Sequence, residues 1–236
     1  MLKSKKVKIA MAVIFITIII AIILFFVYRN SIYSLEKVKE ILTSANTLKN
    51  VHIKEEIFMG DYSDSIEFSN YYIKDNMMYI NQENDSLENT VETIYNFENS
   101  KEISINHSNK TINVLEVTEK PSITLPENDN FFTLANLNKQ YEHRGTYKYI
   151  GKESIDGQRC IKVSLTDNYE DKVSVHYYYI NLENNCIIRY ELYEGNDESE
   201  LKKNYEAVYT YTFNTVTDND ILNFDKNNYP DYTYYE

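Results

Sequence analysis

The spacing of apolar residues along the chain changes twice. Residues 9–28 form an unbroken apolar stretch whose only polar member before its last residue, Tyr28, is Thr17. Between Ser34 and Asn50 apolar side chains return at helical spacing, which predicts one amphipathic helix that packs on the following sheet or contacts lipid. After Asn50 apolar and polar residues alternate, which predicts a series of β-strands.

The first apolar stretch is long enough to cross a membrane, because about 20 helical residues span a hydrocarbon core of about 30 Å. A cleaved secretory signal is the alternative, but its apolar core of about 7 to 15 residues ends in small side chains. Here the stretch is longer and ends in Phe25, Phe26 and Val27. Four lysines precede it, which places the amino terminus inside. The sequence predicts a cytoplasmic tail at residues 1–8 and an anchor in the cytoplasmic membrane at residues 9–28.

The charge of the remaining chain is strongly acidic. The first 29 residues hold five basic residues and no acid, so the net charge of −12 leaves −17 on the rest. Such a surface repels nucleic-acid phosphates and anionic lipid headgroups, so a nucleic-acid partner is not expected. With only three prolines and five glycines, no linker divides the chain. We expect one extracellular domain at residues 34–224 and a C-terminal tail at residues 225–236.

Turn positions in the first half of this domain set strand registers. A turn at Ser108 and Asn109 places Ile105 opposite Ile112, and by the same register Ile103 opposite Val114. A three-residue loop at residues 98–100 places Tyr95 opposite Ile103. Together with the later strands the pattern predicts about eleven antiparallel strands and one or two covering helices, an α+β fold in which one large, curved sheet dominates.

The last third of the domain predicts four consecutive strands with an aromatic face. A turn at Glu183 and Asn184 places Tyr179 opposite Ile188 and Tyr177 opposite Tyr190. This face either forms core or binds an apolar ligand, and its predicted members are Tyr177, Tyr179, Ile188, Tyr190, Tyr209 and Tyr211. A short helix follows Pro126 and either caps the core or acts as a mobile lid. Its apolar members are Phe131, Phe132, Leu134 and Leu137.

The two cysteines are not expected to form a disulfide. Cys186 falls on the apolar face with Ile188, whereas Cys160 alternates with Ile161 and therefore points to the opposite face. An intervening strand would separate the two by about 9.5 Å, and a disulfide needs Cα atoms within about 7 Å. A bridge between Cys160 and Cys186 is possible outside the cell but disfavoured.

The residues that common enzymes need are absent from the sequence. Five scattered glycines cannot form a phosphate-binding loop, and no nucleophile elbow of the Gly-x-Ser-x-Gly type occurs. The four histidines lie far apart, without metal-ligand spacing. Carboxylate pairs such as Glu55 with Glu56 are numerous, but at this density acids pair by chance. We expect no catalytic residue, no metal, no cofactor and no enzymatic activity.

Three sequence blocks resemble the core of LolA-like proteins, the lipoprotein carriers of the periplasm and their relatives in Gram-positive bacteria. The blocks are YIGKESIDGQRCIKV at residues 149–163, YYINLENN at residues 178–185 and IIR at residues 187–189. Asn181 stands where the family usually has Asp, and Asn184 with Asn185 replaces Thr-Gly, changes that preserve a turn. The resemblance implies a curved half-barrel sheet with covering helices over residues 34–224.

The resemblance also implies two functions. Some relatives in spore-forming bacteria are germination lipoproteins, which bind a cell-wall amidase, and a transmembrane helix would tether this domain as their lipid does. The chain is therefore expected to bind an envelope protein partner, such as a sporulation or germination enzyme. The alternative is binding of an acyl chain or lipoprotein on the concave apolar face. The tether removes the advantage of a mobile carrier, which favours the protein partner.

Overall fold

The computed structural model describes residues 13–25, 33–47, 49–60, 67–84, 89–116, 125–141, 145–169 and 172–236. Three helices lie in these ranges: α1 at residues 13–25, α2 at Leu35–Ala45 and α3 at Asn128–Gln140. Among these residues, no helix is long and apolar enough to cross a membrane. The predicted anchor at residues 9–28 extends beyond the described part on both sides of α1, and the predicted tail at residues 1–8 lies outside it.

Twelve strands form one sheet in the described part of the chain. They are β1 (Asn50–Met59), β2 (Glu67–Lys74), β3 (Met77–Asn84), β4 (Asn89–Asn96), β5 (Lys101–Asn106), β6 (Thr111–Glu116), β7 (Tyr147–Ile155), β8 (Gln158–Tyr169), β9 (Lys172–Asn181), β10 (Ile187–Gly195), β11 (Lys202–Phe213) and β12 (Thr233–Tyr235). Their order is β12-β6-β5-β4-β3-β2-β1-β11-β10-β9-β8-β7. The predicted open, curved and mainly antiparallel sheet is confirmed.

Part of the predicted C-terminal tail, residues 225–236, belongs to the sheet, because Thr233–Tyr235 form β12. β12 pairs with β6 in parallel, and the backbone of Thr233 donates a hydrogen bond to the carbonyl oxygen of Lys110. The Tyr232 hydroxyl lies 2.8 Å from Nδ1 of His107, which follows β5. The segment therefore adds a twelfth strand to the eleven predicted. The sequence did not predict this strand, because pairing with a distant strand has no local sequence signal.

Helices α2 and α3 pack on the same face of the sheet, which we call the inner face. Ser34 caps α2 by accepting a hydrogen bond from the backbone of Lys37. Asn128, at the start of α3, donates to the Leu42 carbonyl oxygen and to the Asn46 side chain, which ties α3 to the end of α2. The two helices bury these residues against the inner face: Val38, Leu42, Ala45, Phe131, Leu134 and Ala135.

The predicted register of β5 and β6 is confirmed, whereas that of β4 and β5 is wrong by one residue. Ile105 lies opposite Ile112, and Ile103 lies opposite Val114. On the other side of β5, Ile94 rather than Tyr95 opposes Ile103. The loop there has four residues, 97–100, because the Asn96 side chain accepts hydrogen bonds from the backbone at positions 98 and 99.

A β-bulge overturns the predicted register of β9 and β10. Ile180 lies opposite Ile187, as the predicted turn requires, but the register shifts by one between Ile187 and Arg189. Beyond this bulge, Tyr179 opposes Arg189 and Tyr178 opposes Tyr190. A shift of one residue moves every following side chain to the other face. The predicted pairings of Tyr179 with Ile188 and of Tyr177 with Tyr190 are therefore wrong.

Both cysteines are buried free thiols. Cys186 belongs to the main core on the inner face, whereas Cys160 packs with Tyr179 and Ile188 in a small cluster on the opposite, outer face. Burial raises the pKa of the Cys186 thiol to about 12. The two thiols therefore lie on opposite faces of the sheet, and burial favours the protonated form of each.

Candidate functional site

The six residues predicted to form one ligand face lie on both faces of the sheet. Tyr190 and Tyr209 are buried in the main core under the helices. Tyr177, Tyr179 and Ile188 belong to the outer face. Tyr211 packs against both clusters, and its hydroxyl donates to the Ile187 carbonyl oxygen at 2.8 Å. The bulge in β10 is the physical reason for this division, and the predicted continuous aromatic face does not exist.

Helix α3, predicted as either a core cap or a lid, contributes the side chain of Phe131 to the core. Phe131 is fully buried and meets the ring of Tyr178 edge-on at 5.0 Å. Tyr178, which the sequence prediction omitted, then contacts Tyr190 at 5.1 Å. Leu134 is buried, and Phe132 and Leu137 are half-buried. Side chains therefore fill the inner face where the open ligand surface was expected.

The outer face carries cations over tyrosine rings. Nζ of Lys162 lies 4.5 Å from the ring centre of Tyr177 and 4.7 Å from that of Tyr179. Arg189 forms ion pairs with Glu191 at 2.8 Å and with Glu206 at 2.7 Å. The cations of the outer face are therefore partnered by tyrosine rings and carboxylates of the chain itself.

A cluster of acids and hydroxyls lies on the inner face beside the core. We call it the acidic cleft, and its members are Glu55, Ser69, Tyr71, Glu127, Tyr205 and Tyr209. Glu55 is 6% exposed on β1, and its neighbours across the sheet are Ser69 on β2 and Tyr209 on β11. The Tyr71 hydroxyl donates to Glu55 at 2.6 Å. Glu127 precedes α3 and accepts a hydrogen bond from the Asn130 side chain at 2.9 Å. The charge of Glu55 acts on Glu127, so the cleft brings together two carboxyl groups that are far apart in the sequence.

Burial dominates the electrostatics of this cleft. Burial raises the pKa of Glu55, and the hydrogen bond from Tyr71 offsets only part of that effect. The pKa of Glu127 is also raised by burial and, to a smaller extent, by the charge of Glu55. Burial and the charges of Glu127 and Glu55 raise the pKa of Tyr209 far above its ordinary value. Burial therefore favours the protonated, neutral form of both carboxyl groups.

The sequence prediction did not assign a role to this cleft, although one signal for it exists. Along β1 the inward-facing positions are Val51, Ile53, Glu55 and Ile57. A glutamate at the third position interrupts an otherwise apolar alternation, and such residues are rarely buried without a purpose. Glu127 has no comparable signal, because its position depends on how α3 docks on the sheet.

A second feature of the inner side is an open depression of about 370 Å³ between the two helices and strands β7 and β8. Leu35, Ala135 and Leu165 form its apolar part, and Glu36 and Lys139 lie at its border. Its mixed lining differs from the continuous apolar wall that an acyl chain requires.

No family model and no curated protein matches this chain. Among solved structures, an uncharacterized conserved protein from Thermus thermophilus is similar, with a TM-score of 0.53 and 8% identity over 86% of this chain and 99% of that one. A chain of the Pseudomonas aeruginosa MucA/MucB complex has a TM-score of 0.42 and 6% identity, over 80% and 61% of the two chains. LolA superfamily protein NE2245 from Nitrosomonas europaea has a TM-score of 0.31 and 12% identity, over 79% and 97%. The Thermus protein shares the fold.

Proposed function

We propose that this chain is a membrane-anchored, extracytoplasmic binding protein of the cell envelope that holds a protein partner on a LolA-like domain of the Gram-positive type. Residues 9–28 anchor it in the cytoplasmic membrane with the amino terminus inside, and the domain lies outside the cell. The partner class is a cell-wall enzyme of sporulation or germination, in line with the resemblance to germination lipoproteins. The chain itself is not an enzyme.

The main support for this proposal is that α3 fills the inner face of the sheet. Phe131, Tyr178 and Tyr190 occupy the position at which an acyl chain would lie on an open aromatic surface. Displacing them would expose apolar area at a cost of roughly 25 cal/mol per Å², which a ligand would first have to repay. A partner that binds the existing surface avoids this cost.

Two surfaces are available to a partner, and their chemistry differs. β7 is an edge strand, but it contains a bulge between Tyr149 and Gly151 and exposes Lys148 and Lys152. Bulges and lysines are typical of edges that resist pairing with another strand. The acidic surface of the domain, with a net charge of −17 after the first 29 residues, is suited to a basic partner. We therefore place the partner on this acidic surface.

The second candidate function is binding of a lipid or lipoprotein. The depression beside Leu35 and Leu165 favours it, because part of that surface is apolar and open. In this case α3 would act as the lid, with Phe131, Phe132, Leu134 and Leu137 moving away from the sheet. The partner-binding proposal requires no such movement.

Affinity capture and lipid extraction, applied to the same material, test the proposal. The tagged full chain is recovered in mild detergent from envelopes of its native host, at low and at high salt. We expect a stoichiometric protein partner that is released by high salt, because the interaction depends on charge, and no bound acyl ligand in the organic extract. Repeated recovery of an acyl ligand without a partner would favour the second candidate and refute the first.

A further inference from the structure

We propose that a groove beside the β2–β3 turn binds a segment of the protein partner in which an apolar residue stands next to a lysine or arginine. The groove has a volume of about 380 Å³. It is formed by residues 74–77 at the β2–β3 turn, by Glu98 in the β4–β5 loop, and by residues 218 and 221–223, which follow β11. We call it the turn groove. The inference rests on the proposed partner-binding function and adds the place and the chemistry of recognition.

Part of the lining of the turn groove is apolar. Met77, Ile221 and Leu222 belong to it, and all three are half-buried, so each side chain keeps apolar surface in contact with solvent. A partner side chain that covers this surface removes apolar area from water, which favours binding. The flexible methionine side chain also adapts its shape to a bound group. The lining therefore indicates an apolar residue in the bound segment.

The charged residues of the turn groove are mainly acidic. Asp75, Glu98 and Asp218 are exposed, and Lys74 is the one basic residue of the lining, so three carboxylates and one ammonium group give a net charge of −2. Lys74 forms an ion pair with Asp218. Among the residues that the structure describes, Asp75 and Glu98 belong to no ion pair. A basic residue of the partner therefore meets two carboxylates that are available to it, and the acidic domain attracts it from a distance.

Hydrogen bonds and an ion pair form the turn groove before any partner binds. The Asn76 side chain donates to Glu98 at 3.1 Å, and the backbone of Phe97 donates to the Asn76 carbonyl oxygen at 2.9 Å. These bonds join the β2–β3 turn to the β4–β5 loop. The ion pair between Lys74 and Asp218 joins the end of β2 to the segment after β11. A preformed site loses less conformational entropy on binding, which favours recognition of a partner.

Other occupants fit the turn groove less well. An anion would require a cation of the lining, but Lys74 is already paired with Asp218. A metal ion would require a group of at least three metal-ligating side chains, and the described residues contain none. A purely apolar group would leave the exposed carboxylates at its border unused. A peptide segment that is both basic and apolar matches both parts of the lining.

Three dipeptide probes, acetylated at the amino terminus and amidated at the carboxyl terminus, test the inference on the unmodified full chain in a neutral detergent. Leu-Arg carries both features. Leu-citrulline has nearly the same shape without the charge, and Gly-Arg has the charge without the apolar side chain. Binding is followed by ligand-observed NMR titration, with empty micelles as the blank. We expect saturable binding of Leu-Arg and at least about threefold weaker binding of each other probe.

Two results of this titration would overturn the inference. The first is the absence of saturable Leu-Arg binding. The second is an affinity for Leu-citrulline or Gly-Arg that equals the affinity for Leu-Arg, because the charge or the apolar side chain would then make no difference.

Charge-removing variants locate the binding site. Asp75→Asn and Glu98→Gln each remove one exposed carboxylate, and we expect each to weaken Leu-Arg binding about two- to fivefold. The matched control is Asp156→Asn, because Asp156 is an exposed residue of the β7–β8 turn with nearly the same φ as Asp75, 50° against 53°. Asparagine tolerates this backbone conformation as aspartate does.

The sheet order places four strands, β1, β11, β10 and β9, between the groove strand β2 and the control strand β8. Asp156→Asn should therefore leave Leu-Arg binding unchanged, although it changes the net charge by the same amount. An equal loss in Asp75→Asn and Asp156→Asn would assign the effect to general charge and contradict the inference. Unchanged binding in both groove variants would contradict it as well.

The two proposals can fail separately. If Leu-Arg does not bind but a stoichiometric partner is captured from envelopes, the groove inference is wrong and the proposed function stands. If Leu-Arg binds in the turn groove and no partner is captured, the proposed function is wrong and the groove remains a site for basic, apolar peptide segments.

Discussion

The position of Phe131 distinguishes a core helix from a lid, so its removal is the sharpest test of the structure. Phe131→Ala deletes a ring that is fully buried and that contacts Tyr178 at 5.0 Å and Phe132 at 6.0 Å. Lost burial accounts for about 1.5–3 kcal/mol of the expected effect. The cavity left behind brings the total to about 3–5 kcal/mol, a large part of the roughly 5–15 kcal/mol that typically stabilises a domain.

Urea unfolding followed by circular dichroism measures this change. We expect Phe131→Ala to lower the midpoint with little change in the denaturant slope, which would indicate lost stability rather than an altered unfolded state. Phe132→Ala is the matched control, because the same ring is removed from a half-buried neighbouring position, and it should cost about half as much or less. If both variants lose less than about 1 kcal/mol, α3 is a detachable lid and the reasoning is refuted.

Three further predictions concern titratable groups. Burial raises the pKa of Glu55. The wild type should therefore lose stability relative to Glu55→Gln as pH rises from about 4.5 through the raised pKa. If the free energy of unfolding of the two proteins changes equally with pH, the prediction is wrong. Burial lowers the pKa of His176 to about 4, so an NMR titration of this histidine should have that midpoint. The free energy of unfolding should fall by up to about 3 kcal/mol as pH decreases from about 6.5 to about 4. A midpoint at the ordinary histidine pKa would refute the burial of His176. Both cysteines should resist Ellman's reagent until urea unfolds the chain and then titrate as two thiols; an oxidised chain that requires a reductant first would show a disulfide.

Local sequence patterns predicted much of the fold. The alternation after Asn50 predicted an open sheet dominated by antiparallel strands, and the helical spacing from Ser34 predicted α2. The register of β5 and β6 was also predictable, because a symmetrical turn fixes which residues face each other. These features depend only on residues that are close in sequence, so short stretches of the chain determine them.

Tertiary structure alone decided the candidate site. The bulge after Ile187 divides the predicted aromatic residues between two faces, and such a bulge has no residue signature that the alternation reveals. Thr233–Tyr235 join the sheet beside β6, and Glu127 reaches Glu55 and Tyr209 only because α3 docks on the inner face. The position of Glu55 among the apolar residues of β1 was visible in the sequence, but its neighbours on other segments were not. Contacts between distant segments depend on how the whole sheet closes around the helices, and no local pattern contains that information.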